Sequence, residues 1–145
     1  MAVRVHWSLW LVGILALLWH VGAVANLGMQ ISPEMMAQMP ESHQAVAKAR
    51  PLWSTVAFAV SAIAGVLGAL ALLFRHRICG PLFFLSFLGA FFTVLQSVLT
   101  GGVFSAFKGA ELILVVAGPI LFGLFLVVYA HRARKRGWLR GSSVE

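Results

Sequence analysis

Long apolar runs alternate with short polar connections along this chain. Four runs cover residues 7–28, 52–74, 81–99 and 112–130. A helix needs about 20 apolar residues to cross the hydrocarbon core of a bilayer, and each run is close to that length. Because unpaired backbone groups are costly in lipid, such runs form helices. The pattern therefore predicts an all-α fold, an integral membrane bundle of four transmembrane helices arranged as two hairpins.

The longest polar connection, between the first and second spans, carries helix signals of its own. Ser32-Pro33-Glu34 offers an N-cap, a proline at the first helical position and an acidic residue in the first turn. Pro40-Glu41 then restarts a second short helix. We predict a short amphipathic outer segment over about residues 32–50, lying on the lipid headgroups or over the mouth of the bundle.

The two other connections are shorter. Residues 75–81 predict a tight turn, in which Gly80 ends one helix and Pro81 opens the next. Residues 100–109 contain glycines and predict a short loop without structure of its own. The chain therefore forms a single four-span domain of residues 1–145, which ends in a basic tail at 131–145.

Composition supports a membrane protein, and charge predicts its orientation. Hydrophobic residues make up 61% of the chain and charged residues 10%, whereas soluble domains carry about 25% charged residues. The net charge of +7 comes from basic residues that flank the spans. This placement indicates how the protein is oriented in the membrane, and we expect no nucleic-acid partner. Eight Lys and Arg residues fall on one side of a four-span arrangement, and three, Lys48, Arg50 and Lys108, fall on the other. The positive-inside rule then places both termini in the cytoplasm, and the lipid bilayer is the expected partner.

The first span has an alternative interpretation as a cleavable secretory signal. Arg4, the apolar run and the sequence Ala23-Val24-Ala25 before Asn26 resemble such a signal, whose removal leaves three spans. The run is longer than the roughly 7–15 apolar residues of a signal, and it contains tryptophans and a histidine. A retained first span is therefore favoured.

His20 is the only ionisable side chain deep in a predicted span. Ionisable groups at that depth mark functional sites or bond to a neighbouring helix. Because no acidic residue lies deep in another span, we favour a neutral imidazole that packs against a neighbour. A place in a proton or solute pathway is the alternative.

Two spans carry stripes of small and polar residues. Steps of three and four place Ser86, Gly89, Thr93, Gln96 and Thr100 on one face of the third span, and phenylalanines fill most of the rest. The second span carries small residues at a spacing of four, including Ser61 and Gly65. Both faces predict close packing between helices, and for the third span the alternative is the wall of a polar pathway or a binding pocket.

The remaining candidate chemistry is sparse. Met36, Met39 and His43 could offer soft ligands to Cu(I), but Pro40 interrupts the helix between them, so apolar packing is favoured. The sequence contains no catalytic triad, phosphate loop, paired carboxylates or Cys/His metal spacing, so we expect neither an enzyme nor a cofactor or metal site. The candidate intramembrane polar or binding residues are His20, Asn26, Ser61, Thr93, Gln96 and Glu111.

Several motifs resemble a group of small four-helix bacterial inner-membrane proteins, which are often labelled "sugar transporter" by inherited naming. The motifs are Trp19-His20 followed by Ala23 and Asn26, Met36-Ala37-Gln38-Met39-Pro40-Glu41, Pro51-Leu52-Trp53, Gly65-Val66-Leu67-Gly68 and Ser86-Phe87-Leu88-Gly89. The resemblance covers roughly the first two-thirds of the chain and implies four spans with an uncleaved first helix. That group has Asn at the position of His20 and Asp at the position of Asn26, so this chain lacks the group's acidic residue there.

Two functions fit the sequence. The first is a small transporter-like or channel-like protein that acts as a homo-oligomer, because four short helices enclose little room for a solute. The second is a non-catalytic accessory or assembly subunit of a larger membrane complex, which the scarcity of intramembrane charge fits equally well.

Overall fold

The computed structural model describes residues 4–141, and this part of the chain is helical, in agreement with the predicted all-α fold. Four of its helices are long and apolar enough to cross a membrane. In chain order the helices are α1 (Ser8–Ile31), α2 (Pro33–Met36), α3 (Glu41–Ala49), α4 (Leu52–Leu73), α5 (Cys79–Leu99), α6 (Gly102–Ala106) and α7 (Gly109–Lys135). The spans α1, α4, α5 and α7 match the four predicted runs, and α7 extends furthest beyond its run.

The spans pack in the order α1, α4, α5, α7, each against the next. Their common core lies at one end of the bundle, where α1 begins, α4 turns into α5 and α7 ends. We call this the basic end, and we call the opposite end the cavity end. Residues of all four spans meet at the basic end, among them Leu9, Leu72, Phe83, Leu126 and Ala133. Apolar side chains therefore fill the bundle at its basic end.

The pair α4 and α5 makes the most extensive contact in the bundle, and small residues explain why. A Cβ atom added to Gly89 would lie 2.5 Å from the carbonyl oxygen of Ala57. Ser61 Oγ donates to the carbonyl of Ser86 at 2.8 Å, and Ser86 Oγ lies 2.7 Å from the carbonyl of Ser61. The predicted packing between the two stripes is confirmed, since such stripes let helix backbones approach closely.

The turn between α4 and α5 differs from the prediction. Helix α5 begins at Cys79, so Gly80 and Pro81 lie inside its first turn, where a proline breaks no helical hydrogen bond. Helix α4 ends instead through Arg75, whose φ is 61°. The amide of His76 donates to Ala71 O at 2.7 Å and that of Arg75 to Leu72 O at 2.9 Å, which is the Schellman pattern.

The segment after α7 packs back onto that turn. Trp138 and Leu139 are 8% and 3% exposed and belong to the core of the basic end. Arg75 Nε donates to Trp138 O at 2.8 Å, and the Arg140 amide donates to Arg75 O at 2.6 Å. The predicted basic tail at 131–145 is thus helical to Lys135 and then docked, while its residues 142–145 lie outside the described residues. Arg75 has the left-handed backbone conformation that glycine usually adopts at the end of a helix, and its side chain also forms a hydrogen bond to the docked segment.

The cavity end carries the short helices. Helices α2 and α3 occupy the connection in which two short helices were predicted. Helix α6 lies in residues 100–109, where only a loop was predicted, and it packs against α3. The rings of His43 and Phe107 join these two connections, with their centroids 4.7 Å apart. Together α3 and α6 lie over the cavity end.

Two phenylalanines of α5 lie within the bundle instead of facing lipid: Phe83, and the half-buried Phe87, which packs against Gly123 of α7. Phe84, Phe91 and Phe92 are exposed on α5, as expected of side chains that contact lipid. Phe83 is 1% exposed and packs in the core. It fits there because Gly68 of α4 leaves room for its ring, which lies 2.9 Å from where a Cβ atom would be.

Candidate binding cavity

A cavity of about 470 Å³ lies between the four spans at the cavity end. Its lining comes from α1, α4, α5 and α7 and from the short segments α3 and α6 that lie over it. Ligand pockets of proteins have volumes of about 300–1,000 Å³ and apolar walls with a few converging polar groups. The cavity has both properties.

His20 lies at the floor of this cavity, near the middle of α1. Its side chain is buried, with the residue 6% exposed. Nδ1 lies 2.8 Å from the carbonyl oxygen of Ala16, and Nε2 lies 3.2 Å from Ser86 Oγ. Ser61, which exchanges hydrogen bonds with Ser86, also lines the floor. The floor is therefore a polar cluster that joins α1, α4 and α5.

Gly65 of α4 makes room for the His20 ring. A Cβ atom at position 65 would lie 1.8 Å from Cδ2 and 2.2 Å from Nε2 of that ring. Real atoms never approach so closely, so the ring rests directly on the glycine backbone. The rings of Phe83 and Phe122 lie on other sides, with centroids 6.4 and 6.5 Å from that of His20. The packing holds the imidazole in one place.

A chain of polar side chains follows one side of the cavity toward its open end. Asn26 Oδ1 accepts a hydrogen bond from Gln30 Nε2, and Gln30 Oε1 accepts one from Arg50 Nη1 at 2.9 Å. Arg50 follows α3, and its guanidinium lies over the ring of Phe58 at 5.2 Å. Burial lowers the pKa of Arg50 from its ordinary value, yet arginine remains protonated in proteins. This side of the cavity therefore carries a fixed positive charge.

The other side of the open end carries a second contact between segments. His43 Nε2 of α3 lies 3.3 Å from Glu111 Oε1 at the start of α7. The Glu111 side chain is 54% exposed, so the pair stabilises the fold by at most about 1 kcal/mol. Its effect is positional: together with the Arg50–Gln30 bond it ties α3 to α7 and to α1 across the opening.

Apolar side chains form most of the cavity wall. They include Phe58, Phe87, Val94, Val115 and Phe107. Trp19 reaches from α1 toward α7, where its ring lies 5.2 Å from that of Phe122, between centroids. The same indole approaches within 3.3 Å of where a Cβ atom of Gly118 would be. Trp19 thus closes the side of the cavity between the first and last spans.

Five of the six predicted site residues line this cavity: His20, Asn26, Ser61, Thr93 and Glu111. Gln96 does not. It is buried against α4, where its Oε1 accepts a hydrogen bond from Ser54 Oγ at 3.1 Å. Arg50 and Gln30 were missed as site residues, and His43 was considered only as a ligand of Cu(I). The sequence offered a signal for Gln30, because it follows Asn26 by one helical turn.

Exchanging Gln96 for leucine tests the packing role of that side chain. Gln96→Leu leaves the buried hydroxyl of Ser54 without its acceptor, so we expect a loss of about 1 kcal/mol in unfolding free energy in detergent. Phe91→Leu, on the lipid-facing side of the same helix, serves as the control and should be nearly neutral. Equal losses in both variants would mean that these faces of α5 are assigned wrongly.

The side chains that could bind a metal do not form a cluster. Within residues 4–141, no three His, Cys, Asp or Glu side chains lie close enough to hold an ion. Met39 and His43 both line the cavity, whereas Met36, the third residue of the Cu(I) alternative, is not part of the lining. The described residues therefore bring together only two of those three candidate ligands.

Comparisons with known proteins give no match. No protein-family model, curated protein or solved structure matches this chain. The cavity and the residues that line it are therefore the features that bear on function.

Proposed function

We propose that the protein is a small-solute transporter of the bacterial inner membrane and that it holds its solute in the 470 Å³ cavity. The cavity is the main observation in support of this proposal. Its walls are mainly apolar, and Asn26, Arg50, Glu111 and His20 supply polar groups along its depth. Such a lining fits a small molecule that has an apolar body and polar substituents.

The distribution of charge supports an orientation for the proposed transporter. The turn after α4 and the end of α7 carry most of the Lys and Arg residues, which the positive-inside rule assigns to the cytoplasm. The cavity end, with Lys48, Arg50 and Lys108, then faces outward. A solute would enter from outside, beneath α3 and α6, and descend toward His20.

Apolar side chains fill the bundle at its basic end, which favours a carrier over an open channel. The core that includes Leu9, Leu72 and Phe83 occupies the basic half, and the cavity stops at His20. His20 lies about 17 Å, or 11 helical steps, from the end of α1, so the solute site would lie near the middle of the bilayer. Transporters bind their substrates near that depth and release them by opening the other side. We propose a homo-oligomer, within which neighbouring copies support that movement.

Stabilisation by solutes tests the proposal. A ligand present at 100 times its Kd stabilises the folded state by about 2.7 kcal/mol, which raises the unfolding temperature. The purified protein in detergent would be heated with a panel of sugars, amino acids and carboxylic acids, and stabilising solutes would then be tested for uptake into proteoliposomes. We expect at least one solute to stabilise the protein and to be taken up.

Two variants of α1 provide a matched control. Ala23 lines the cavity and Ala25 is exposed on the same helix. Ala23→Phe should therefore abolish solute stabilisation and uptake, and Ala25→Phe should preserve both. Absence of stabilisation by the panel, together with purification of the protein in a stable complex with a larger membrane protein, would favour the accessory-subunit function instead.

A further inference from the structure

The hydrogen bonds at the cavity floor require a hydrogen on one ring nitrogen of His20 and leave the other nitrogen open to two arrangements. The carbonyl oxygen of Ala16 can only accept, so Nδ1 of His20 must carry a hydrogen. Ser86 Oγ has a single hydrogen and two acceptors within reach, Ser61 O at 2.7 Å and His20 Nε2 at 3.2 Å. It cannot donate to both. The position of that one hydrogen decides the protonation state of the imidazole.

Two arrangements satisfy both ring nitrogens, and they differ by one proton. If Ser86 donates to Nε2, the imidazole is neutral and protonated at Nδ1. If Ser86 donates to Ser61 O, its oxygen can only accept from Nε2, and the imidazole carries hydrogens on both nitrogens. Conversion between the two needs the gain or loss of one proton at Nε2 and a rotation of the Ser86 hydroxyl. Gly65 holds the ring in the same place in both arrangements.

We propose that His20 is the proton-binding site of the protein and that the proton is the coupling ion of transport. This inference rests on the proposed function, because coupling has a meaning only for a transporter. A proton from water in the cavity binds Nε2, and the hydroxyl hydrogen of Ser86 turns from Nε2 to Ser61 O. Release reverses both movements, so no other group is consumed or formed.

Among the groups at the cavity floor, His20 is the one that can take up this proton. The side chains that contact or face the ring from α4, α5 and α7 are Ser61, Phe83, Ser86 and Phe122, beside the backbone of Gly65. None of them titrates between about pH 5 and pH 8. The charged or titratable groups of the same cavity are Arg50, His43 and Glu111, all at its open end. The lining of the cavity runs from that end down to His20, Ser61 and Ser86, which gives a proton from outside a path to the floor.

Nuclear magnetic resonance of labelled histidine tests the proposal without any solute. The full chain in lipid nanodiscs, with ¹⁵N-labelled histidine, would be titrated between about pH 5 and pH 8. We expect one imidazole to change reversibly from the neutral Nδ1–H tautomer to the doubly protonated form. The chain has five histidines, and loss of that signal in His20→Asn assigns it.

Two serine variants separate proton binding from packing. Ser86→Ala removes the only acceptor of the Nε2 hydrogen and should keep His20 neutral over the whole range. Ser97 also lies on α5 and lines the cavity, but its hydroxyl donates to Thr93 O and not to His20. Ser97→Ala should therefore leave the titration of His20 intact. A wild-type His20 that stays neutral, or stays doubly protonated, throughout the range would overturn the proposal. Either outcome leaves the solute-stabilisation test unaffected, so failure of proton coupling and failure of solute binding are distinguishable.

Discussion

Replacing Gly89 with alanine is expected to destabilise the bundle by about 1–3 kcal/mol, because overpacked sites lose about that much. The added methyl group would lie 2.5 Å from the backbone oxygen of Ala57 and 3.0 Å from Ser61. A backbone atom cannot rotate away, so α4 and α5 must separate. Their separation would also break the reciprocal bonds between Ser61 and Ser86.

The control for this variant is Gly28→Ala in α1. No atom lies within 4 Å of a Cβ built at Gly28. The substitution should be neutral or stabilising, since alanine is favoured over glycine within helices by up to about 1 kcal/mol. Unfolding free energies in detergent measure both variants. A Gly89→Ala protein as stable as the Gly28→Ala protein would contradict the observed approach of α4 and α5.

Replacing Gly65 with alanine is expected to displace His20 and to cost a similar amount of stability. The new methyl group would overlap the imidazole ring, 1.8 Å from Cδ2. The ring must then leave Ser86, and the buried polar groups of the floor lose their partners. Buried groups left without hydrogen bonds cost about 1–3 kcal/mol.

A double substitution shows whether the clash with His20 is the cause. In His20→Ala the ring is absent, so Gly65→Ala should then cost little. We expect the two effects to be non-additive by at least about 1 kcal/mol, as is usual for residues in direct contact. Additive losses measured by unfolding of the two single variants and the double variant would show that His20 does not rest on Gly65.

The spans and the packing faces could be predicted from the sequence because each is a local property. The bilayer sets the length of an apolar run, and helical periodicity sets which residues share a face. The buried stripe of Ser86, Gly89, Thr93 and Gln96 follows directly from that periodicity. The turn at Gly80 and Pro81 was predicted wrongly because composition does not show where a helix starts, and Arg75 adopts the left-handed conformation instead.

The cavity could not be predicted, because it depends on contacts between distant segments. Arg50 bonds Gln30 across 20 residues, and His43 reaches Glu111 across 68. The two residues of each pair lie on different segments, so helical periodicity in the sequence does not relate them. His20 and Glu111 were chosen as single polar residues, and only the arrangement of the spans places them at the two ends of one cavity. Gln96 has the same sequence signal but faces α4.

Thiol labelling from outside the cell tests whether the proposed solute cavity faces outward. Ala90 of α5 lines the cavity, and Phe92 of the same helix faces lipid. The native Cys79 is buried and serves as the blank. Thiols react through the thiolate, which forms in water and not in lipid. A membrane-impermeant maleimide added to intact spheroplasts should label Ala90→Cys and spare Phe92→Cys. Labelling of Ala90→Cys only after permeabilisation, or not at all, would contradict the account.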